Sequence, residues 1–400
     1  MPEPSPEPMP ALMKDFPPAP EAQVTLANWR TAPFNRWSFH HVRELLPTAE
    51  IPNDPRRAAP LPVEPRDLGT LRIPTEAGRL DLPGFFQRAS VDGFVVLFRG
   101  ELVHESYFHG MHGRRQHICM SVSKSLLGLL AGVLVERDEL DLEAQATHYV
   151  PELAATAYRG ATVRHLLDMR AGTAFPEDYT ETEGLYIRYR KAVGWNPREP
   201  GDEPSDLRSF YRLMTEADGR HGGPFRYISP NTDLLAWIIE RATGTRYSDL
   251  MSELLWKPLG AEAPAYITVD RLGAPRAAGG VCVTTRDLAR IGQMLVEGGR
   301  GVVSTDWIED IATMGDAEAW DAGDFAESYP AMPMHYRAQW YVIRDRGPLL
   351  MALGIHGQNL LVDRGCELVV AKHASAATPL DPAGERLTLK VFEAIRDFLC

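Results

Sequence analysis

The sequence predicts an α+β fold in which a mostly antiparallel sheet is flanked by helices and joined to an all-helical subdomain. Three observations support this prediction. Strand-like segments occur near both ends of the chain, helical patterns fill its middle, and one helical segment is apolar on every side. The simplest packing pairs the strands from both ends in one sheet, covers that sheet with helices, and leaves the middle of the chain as an insertion.

The first strand signal lies in residues 92–108, DGFVVLFRGELVHESYF, where two apolar runs meet at Arg99 and Gly100. This pattern predicts a β-hairpin. The remaining strand signals are found in residues 338–345, 357–365 and 366–375.

Helical spacing and helix-ending glycines predict the other elements. A short helix is expected around His40–Leu46, and a buried one at about 121–137. Longer helical patterns cover residues 161–172, 204–217, 231–260 with a break at Gly244, 284–299 and 384–400. The predicted organisation is a disordered Pro-rich tail at 1–22, an α/β sheet domain formed by 23–140 and 281–400 with an N-terminal wrapping segment, and a mainly helical subdomain at 141–280.

The composition is that of a soluble globular protein, with 44% hydrophobic and 24% charged residues in 400. A net charge of -12 argues against nucleic acid as a main partner, because phosphate binding requires a basic face. The longest apolar run is shorter than the roughly 20 residues that cross a bilayer. Because no signal-peptide pattern is present in this sequence, we expect a cytoplasmic protein without a membrane partner.

The four cysteines are widely spaced and contain no CxxC pair, so they predict neither a zinc knuckle nor a thioredoxin-type site. They are Cys119, Cys282, Cys366 and Cys400. This usage fits a reducing compartment, although pairing among the four thiols stays open.

The strongest functional signal is the segment SVSKS, in which Ser121 and Lys124 stand just before ten apolar or glycine residues, 126–135. Residues three apart on a helix share a face, so the two side chains can meet. A serine hydroxyl becomes nucleophilic when a base removes its proton, and burial lowers a lysine pKa enough to make the lysine that base. The alternative is that Ser121 is only a helix cap.

A second polar cluster, FRYISPNTD at 225–233, contains Tyr227, Ser229 and Asn231. If the segment is extended, its alternation sends the three side chains to one side. A tyrosine near an ammonium group would lose its proton more easily and could relay one to or from Ser121. The alternative is a simple helix entry with Asn231 as its cap.

A third element is GIHGQNLLVD at 354–363, where two glycines bracket Ile355 and His356 just before a strand. Glycines allow the backbone to approach a ligand closely, so a backbone N–H here could serve an oxyanion. The alternative is a turn that carries an exposed histidine.

Taken in this order, the three elements resemble the serine β-lactamase and penicillin-binding-protein superfamily. No Ser-Asp-Asn or Lys-Thr-Gly motif occurs, so the similarity is to the class C and family VIII esterase branch. Further segments resemble the 6-aminohexanoate-dimer hydrolases, the nylon-oligomer hydrolase family. They are NRWSFHHVRELLP (35–47), MSVSKS (120–125), YVPELA (149–154), LLDM (166–169), EDY (177–179), GW (194–195), NTDLLAWIIERATG (231–244), AGGVCVTTRDLARIGQML (278–295) and GIHGQN (354–359).

The resemblance implies a β-lactamase/transpeptidase-like fold and a serine hydrolase that acts through an acyl-enzyme on small esters or short amides. It implies no metal and no cofactor, and it leaves open whether the protein forms a homodimer. The roles it implies are a nucleophile at Ser121, a base at Lys124, a proton-relaying tyrosine at Tyr227, oxyanion-hole amides at Ser121 and Ile355, and substrate-binding groups at Tyr179, Ser229 and His356.

The sequence departs from this family at two places. Ala278, in RAAGGV, stands where the nylon-oligomer enzymes have a polar residue, so ester hydrolysis is expected over strong hydrolysis of the nylon dimer. The loop after Tyr179 carries Arg188, Arg190 and Lys191, which either meet a substrate carboxylate or lie in solvent.

The sequence leaves two other classes of function to consider. A metal-dependent enzyme would use His104, His109, His112 and His117, but no HExxH motif is present. A non-catalytic ligand-binding protein on the same fold would be expected to lose the serine or the lysine, and this chain retains both. An α/β-hydrolase is excluded because no Gly-x-Ser-x-Gly occurs.

Overall fold

A computed structural model describes residues 11–76, 78–330, 332–345 and 347–400. The strands of these residues are β1 (Thr48–Ile51), β2 (Ile73–Thr75), β3 (Gly78–Leu80), β4 (Val91–Phe98), β5 (Glu101–Tyr107), β6 (His117–Ile118), β7 (Ala265–Thr268), β8 (Val281–Val283), β9 (Met334–Arg337), β10 (Trp340–Ile343), β11 (Leu349–Gly354), β12 (Gln358–Asp363) and β13 (Leu368–Ala374).

The helices of the described residues are α1 (Asn35–Ser38), α2 (Leu82–Arg88), α3 (Val122–Glu136), α4 (Ala146–Tyr149), α5 (Val163–Leu167), α6 (Gly184–Ala192), α7 (Leu207–Phe210), α8 (Ser229–Thr243), α9 (Tyr247–Leu250), α10 (Lys257–Leu259), α11 (Thr285–Val296), α12 (Thr305–Thr313), α13 (Ala317–Asp321) and α14 (Pro382–Leu399).

The main sheet has seven antiparallel strands in the order β5-β4-β13-β12-β11-β10-β9. It joins strands from both ends of the chain, so the predicted α+β arrangement is confirmed. The predicted hairpin is β4–β5, and its turn residues Arg99 and Gly100 both have positive φ, at 52° and 81°. Two consecutive positive φ values give the type I′ turn whose twist matches that of the flanking strands.

A second, four-stranded sheet has the order β1-β7-β8-β6. Its strand β7 lies within the range 141–280 that was predicted to be mainly helical. The last residue of β6, Ile118, pairs with Cys282 of β8, and the Cys119 N–H donates to the Val281 carbonyl at 2.8 Å. This sheet therefore fixes the backbone that leads into Ser121.

Helix α3 is the predicted apolar helix, and its residues 122–134 are all buried. It packs between β10–β12 of the main sheet and helix α8. Glycines permit this close approach, because a Cβ at Gly128 would collide with the Ala338 carbonyl and one at Gly132 would collide with the Trp307 ring. The apolar run thus packs against neighbours on every side, as the absence of a polar stripe predicts.

Several predicted helices are shorter in the structure. The pattern at 161–172 gives α5 alone, and the one at 204–217 gives α7 followed by a 3-10 turn. The predicted break at Gly244 is confirmed, because Gly244 ends α8 with φ 66°. The expected short helix near His40 is a 3-10 turn at Val42–Glu44.

Two features of the chain ends complete the fold. Part of the predicted tail, residues 1–10, lies outside the described residues, while Leu12 and Met13 pack against the core. At the other end Cys366 and Cys400 form a disulfide with their Cα atoms 6.0 Å apart, and it fastens the end of α14 to the turn before β13. None of the helices that the structure describes is long and apolar enough to cross a membrane.

Candidate active site

Ser121 lies in the turn between β6 and α3. The residue before it, Met120, has φ 45°, a left-handed conformation that is uncommon for a non-glycine residue. Ser121 occupies the N-cap position of α3, but its side chain makes no capping hydrogen bond. The hydroxyl is therefore free for another partner. Ser121 does not act as a side-chain cap of α3.

That partner is Lys124. Its Nζ lies 2.9 Å from Ser121 Oγ and donates to the Ala278 carbonyl at 2.8 Å. Lys124 is 1% exposed. Burial lowers the pKa of its ammonium group to about 7, and nearby Arg276 lowers it further, while Glu177 and Asp233 act in the opposite direction. At neutral pH a large fraction of Lys124 is a free amine that can accept the Ser121 proton.

Tyr227 is the third member of the cluster, and its ring centroid lies 4.8 Å from Lys124 Nζ. The expectation that its proton is lost more easily is wrong. Burial raises the pKa of Tyr227 far above its ordinary value, the Glu177 carboxylate raises it further, and the interaction with Ser121 only partly opposes this. Tyr227 is thus a neutral phenol, which donates and accepts hydrogen bonds without being a phenolate.

A buried hydrogen-bond network fixes the peptide of Ala278, whose carbonyl accepts from Lys124. The Ala278 N–H donates to Asp233 Oδ1 at 2.8 Å, and Asp233 Oδ2 accepts from Tyr189 Oη and from Arg276 Nη1, each at 2.5 Å. Asp233 is 1% exposed. The peptide of Ala278 is therefore fixed from one side by Asp233 and binds Lys124 from the other. Sequence reasoning missed this network, since Asp233 reads as an ordinary residue in the first turn of α8.

The end of β11 approaches the backbone of Ser121. A Cβ at Gly354 would stand 3.1 Å from the Ser121 nitrogen and 2.7 Å from the Cys119 carbonyl oxygen, so only glycine fits there. The next residue is Ile355, whose amide was predicted to share an oxyanion hole with that of Ser121. Among the described residues, the Ser121 N–H has no backbone acceptor. An unused N–H beside the candidate nucleophile is what an oxyanion hole requires.

The predicted substrate-binding residues Tyr179 and Ser229 meet at Glu177. The Ser229 hydroxyl donates to Glu177 Oε1 at 2.6 Å, its N–H donates to Oε2 at 2.9 Å, and Tyr179 Oη donates to Oε1 at 3.2 Å. Sequence reasoning used the EDY motif only for its tyrosine. A carboxylate two residues from a candidate site tyrosine was the signal that could have identified Glu177.

The predicted alternation of Tyr227, Ser229 and Asn231 is wrong, because Ser229 and Asn231 lie in helix α8. The Asn231 side chain accepts from Tyr158 Oη at 2.9 Å within the core. Pro230 near the helix start favours helical geometry, which removes the extended segment that the alternation requires. Instead, Tyr227 contacts Lys124 and Ser229 contacts Glu177.

His356 is buried, with φ 61°, and its Nδ1 lies 2.8 Å from the Ala376 carbonyl oxygen. Its ring packs against Phe39 with centroids 5.2 Å apart. Burial lowers the pKa of the imidazole to about 4, so the ring is neutral. The side chain supports the turn that carries Ile355 and does not line the adjacent cavity.

That cavity opens beside Ser121 and has a volume of about 170 Å³. Near the serine its walls include Tyr179, Tyr227, Gly354 and Ile355, and apolar and aromatic side chains continue the lining away from it. Its lining also includes the charged residues Lys372, Asp381, Glu385 and Arg386. A cavity with mostly apolar walls and a few polar groups suits a small organic substrate.

The cations in the loop after Tyr179 do not line this cavity. Lys191 pairs with Asp202 at 2.7 Å, and Arg190 Nε donates to Asn196 Oδ1 at 3.0 Å. The candidate metal-binding histidines have other partners as well. His109 and His117 both contact the buried Asp92, at 2.9 and 3.3 Å.

A serine lies here within hydrogen-bond distance of a buried lysine at the start of a helix, beside a strand that ends in glycine. This arrangement defines a serine hydrolase of the β-lactamase type. The chain belongs to the β-lactamase family, whose model matches residues 83–394. The 6-aminohexanoate-dimer hydrolase of Paenarthrobacter ureafaciens is 38% identical over 370 residues, which are 91% of each protein. The resemblance to this hydrolase family is thereby confirmed.

Solved structures agree with this assignment. A Bacillus anthracis protein provisionally designated a 6-aminohexanoate-dimer hydrolase has a TM-score of 0.86 at 27% identity, covering 96% of this chain and 98% of its own. A family VIII carboxylesterase has a TM-score of 0.56 at 17% identity, covering 77% and 94%. At that identity the carboxylesterase supports the fold alone.

Proposed function

We propose that this serine hydrolase cleaves small esters and short amides through an acyl-enzyme formed on Ser121. The observation that carries the proposal is the contact of 2.9 Å between Ser121 Oγ and the buried Lys124, whose pKa is lowered to about 7. A lysine of ordinary pKa would be protonated at neutral pH and could not act as a base.

In the first step Lys124 takes the proton of Ser121 as Oγ attacks the carbonyl carbon. The negative charge of the tetrahedral intermediate is stabilised by the amides of Ser121 and Ile355. Tyr227, a neutral phenol, passes a proton from Lys124 to the leaving oxygen or nitrogen, and the C–O or C–N bond breaks. Tyr179 contacts the leaving group, while Glu177 and Ser229 hold Tyr179 in place.

In the second step a water molecule attacks the acyl-enzyme. Lys124 takes a proton from that water and returns one to Ser121 Oγ, which releases the carboxylic acid. Every proton moves between groups of the chain, the substrate and water, so no cofactor or metal enters the proposed cycle. We propose that His356 contributes by positioning the Ile355 turn.

We expect the enzyme to hydrolyse esters better than the amide of the nylon dimer, because Ala278 has only a methyl group where the nylon-oligomer enzymes have a polar side chain. A cytoplasmic location stays a prediction, and the Cys366–Cys400 disulfide weighs against a reducing compartment.

The test is hydrolysis of p-nitrophenyl butyrate by the wild type, Ser121→Ala and the matched variant Ser304→Ala, whose hydroxyl caps the distant helix α12. Ser121→Ala should abolish turnover, and Ser304→Ala should retain it. Mass spectrometry of the wild type quenched during turnover should find the acyl group on the Ser121 peptide. Full activity of Ser121→Ala would reject the assignment of the nucleophile.

A further inference from the structure

Lys372 is a second buried lysine at the candidate site, and the proposed mechanism does not use it. It lies in β13 and is 2% exposed, yet it lines the same cavity as Ser121. Its Nζ donates to Thr388 Oγ1 at 2.6 Å. Within the described residues, no carboxylate oxygen lies within 4.0 Å of this Nζ. An ammonium group has three donors, so two of them are available to a ligand.

Buried charges in proteins are normally paired, because an isolated ion loses its hydration without compensation. The ammonium of Lys372 instead faces a cavity that adjoins the nucleophile. A charged group in such a place is a candidate for ligand binding.

The acidic groups near Lys372 are already engaged. Glu385 accepts from Asn359 Nδ2 at 3.2 Å through both of its oxygens. Asp381 caps α14 by accepting from the Gly384 N–H at 2.9 Å. Lys372 still has two N–H donors without a partner among the described residues, and the first turn of α14 adds the positive end of a long helix beside the cavity.

The short turn Ile355–Gly357 connects the neighbourhood of Ser121 to that of Lys372. Gly354, just before the turn, adjoins the Ser121 nitrogen, and a Cβ on Gly357 would lie 3.7 Å from Lys372 Nζ. His356 in this turn has φ 61°, so the turn is not regular helix, and the chain from Gly354 to Gly357 spans at most about 11 Å. A chain of a few methylene groups is therefore long enough to join a carbonyl at Ser121 to a group at Lys372.

We propose that Lys372 binds a free carboxylate of the substrate, so that the enzyme prefers esters and amides that carry an acidic group a few carbons from the scissile bond. The apolar cavity wall covers the intervening methylene groups, and Arg386 at the mouth attracts the anion. This inference rests on the proposed function, since it concerns the same cavity.

The experiment compares kcat/KM for the p-nitrophenyl monoesters of glutaric and adipic acids with that for p-nitrophenyl butyrate and hexanoate. A second pair, butyryl esters of 4-hydroxybenzoate and of phenol, places the carboxylate on the leaving group instead. The variants are Lys372→Met, Lys372→Arg and, as the matched control, Lys390→Met, an exposed lysine in the third turn of α14 that does not line this cavity.

Lys372→Met should lower kcat/KM for the acid-bearing esters of one of the two pairs by about 10- to 100-fold, mainly through KM, the loss expected for a hydrogen bond to a charged group. It should change the neutral esters by less than about twofold, and Lys372→Arg should retain part of the preference because the charge remains. The pair that responds identifies the side of the scissile bond that carries the carboxylate. Equal losses on acidic and neutral esters, or no change on either, would overturn the proposal.

A pH profile gives an independent signature. Burial lowers the pKa of Lys372 to about 8, while Glu385 and Asp381 oppose that change. The preference for acid-bearing esters should therefore decline above about pH 8 in the wild type and persist in Lys372→Arg. A preference that stays constant to pH 9.5 in the wild type would contradict the role of Lys372.

A binding measurement tests the Lys372 site independently of the catalytic proposal. Calorimetry of glutarate with Ser121→Ala and with the double variant Ser121→Ala/Lys372→Met needs no turnover. Glutarate should bind the single variant at least about tenfold more tightly than the double variant. Equal affinities would refute the carboxylate site even if the ester assays show that Ser121 is the nucleophile.

Discussion

Lys124 and Lys372 are the two buried lysines of the described chain, and their surroundings differ in one respect. Lys124 lies in the first turn of α3 and contacts a hydroxyl and a carbonyl, and its charged neighbours are Glu177, Arg276 and Asp233. Lys372 lies in the middle of β13 and has Glu385 and Asp381 nearby. Burial lowers both pKa values, to about 7 and about 8.

Burial alone therefore does not decide what a lysine does. Carboxylates near each lysine raise its pKa, but Lys124 also has Arg276 nearby, which lowers its pKa and favours the free amine that can remove a proton. Neighbouring carboxylates help to keep Lys372 protonated, which suits it to binding an anion. Each prediction below breaks or sharpens this distinction.

The largest effect is expected for Lys124→Arg. A guanidinium group keeps the positive charge but does not lose its proton in the accessible pH range, so it cannot act as a base. We expect kcat to fall by about 10²–10⁴ on all esters, neutral or acidic. The assay is p-nitrophenyl ester turnover, with thermal unfolding as the control for folding. If Lys124→Arg keeps more than a tenth of wild-type kcat, Lys124 is not the base.

Gly354→Ala should have the next largest effect. Its Cβ would lie 3.1 Å from the Ser121 nitrogen, so β11 must move away and take the Ile355 amide with it. We expect kcat to fall by about 10²–10³, the usual loss for one oxyanion donor. Gly365→Ala, in the β12–β13 turn where a Cβ would have ordinary contacts, is the matched control. Comparable kinetics for the two variants would remove the Ile355 amide from the mechanism.

The wild-type pH profile should show the difference between the two lysines directly. Because Lys124 must be neutral to accept a proton, kcat/KM for a neutral ester should fall about tenfold per pH unit below its pKa of about 7. Neutral esters should show no decline near pH 8, where Lys372 loses its proton. A flat profile between pH 5 and 8 would contradict a lysine base.

The smallest effect on activity is expected for Asp233→Asn. The negative charge of Asp233 raises the pKa of Lys124, so its removal should move the acid limb of the profile to lower pH. The same change leaves Arg276 without its buried partner, which typically costs about 3–5 kcal/mol of unfolding free energy. The measurements are the pH profile and chemical denaturation. A limb that moves to higher pH would show that Asp233 acts on Lys124 in another way.

The sequence predicted the parts of this protein that follow from local patterns. The apolar run after Lys124 predicted a buried helix, the Arg99-Gly100 pair predicted the hairpin, and the spacing of Ser121 and Lys124 predicted their contact. Each of these depends on residues close together in the chain, for which periodicity and turn chemistry are sufficient.

The parts that were missed depend on distant residues. Asp233 and Ala278 meet only because α8 and the segment that leads into β8 both contact α3, and no local pattern predicts those contacts. The predicted decrease in the pKa of Tyr227 was wrong. The sequence indicates a neighbouring ammonium group but not the extent of burial, and burial raises this pKa. Lys372 was overlooked because a lysine in a strand usually points to solvent.

The order of strands in the main sheet has a consequence for protein synthesis. Strand β4, which is translated early, has β13 as a neighbour, and the backbone of Ser121 is approached by β11. Residues 349–374 therefore have to leave the ribosome before the nucleophile meets its oxyanion donors. Such distant pairings also slow folding. With Ser121 as the proposed nucleophile, we expect ester hydrolysis only after nearly all of the chain has been made.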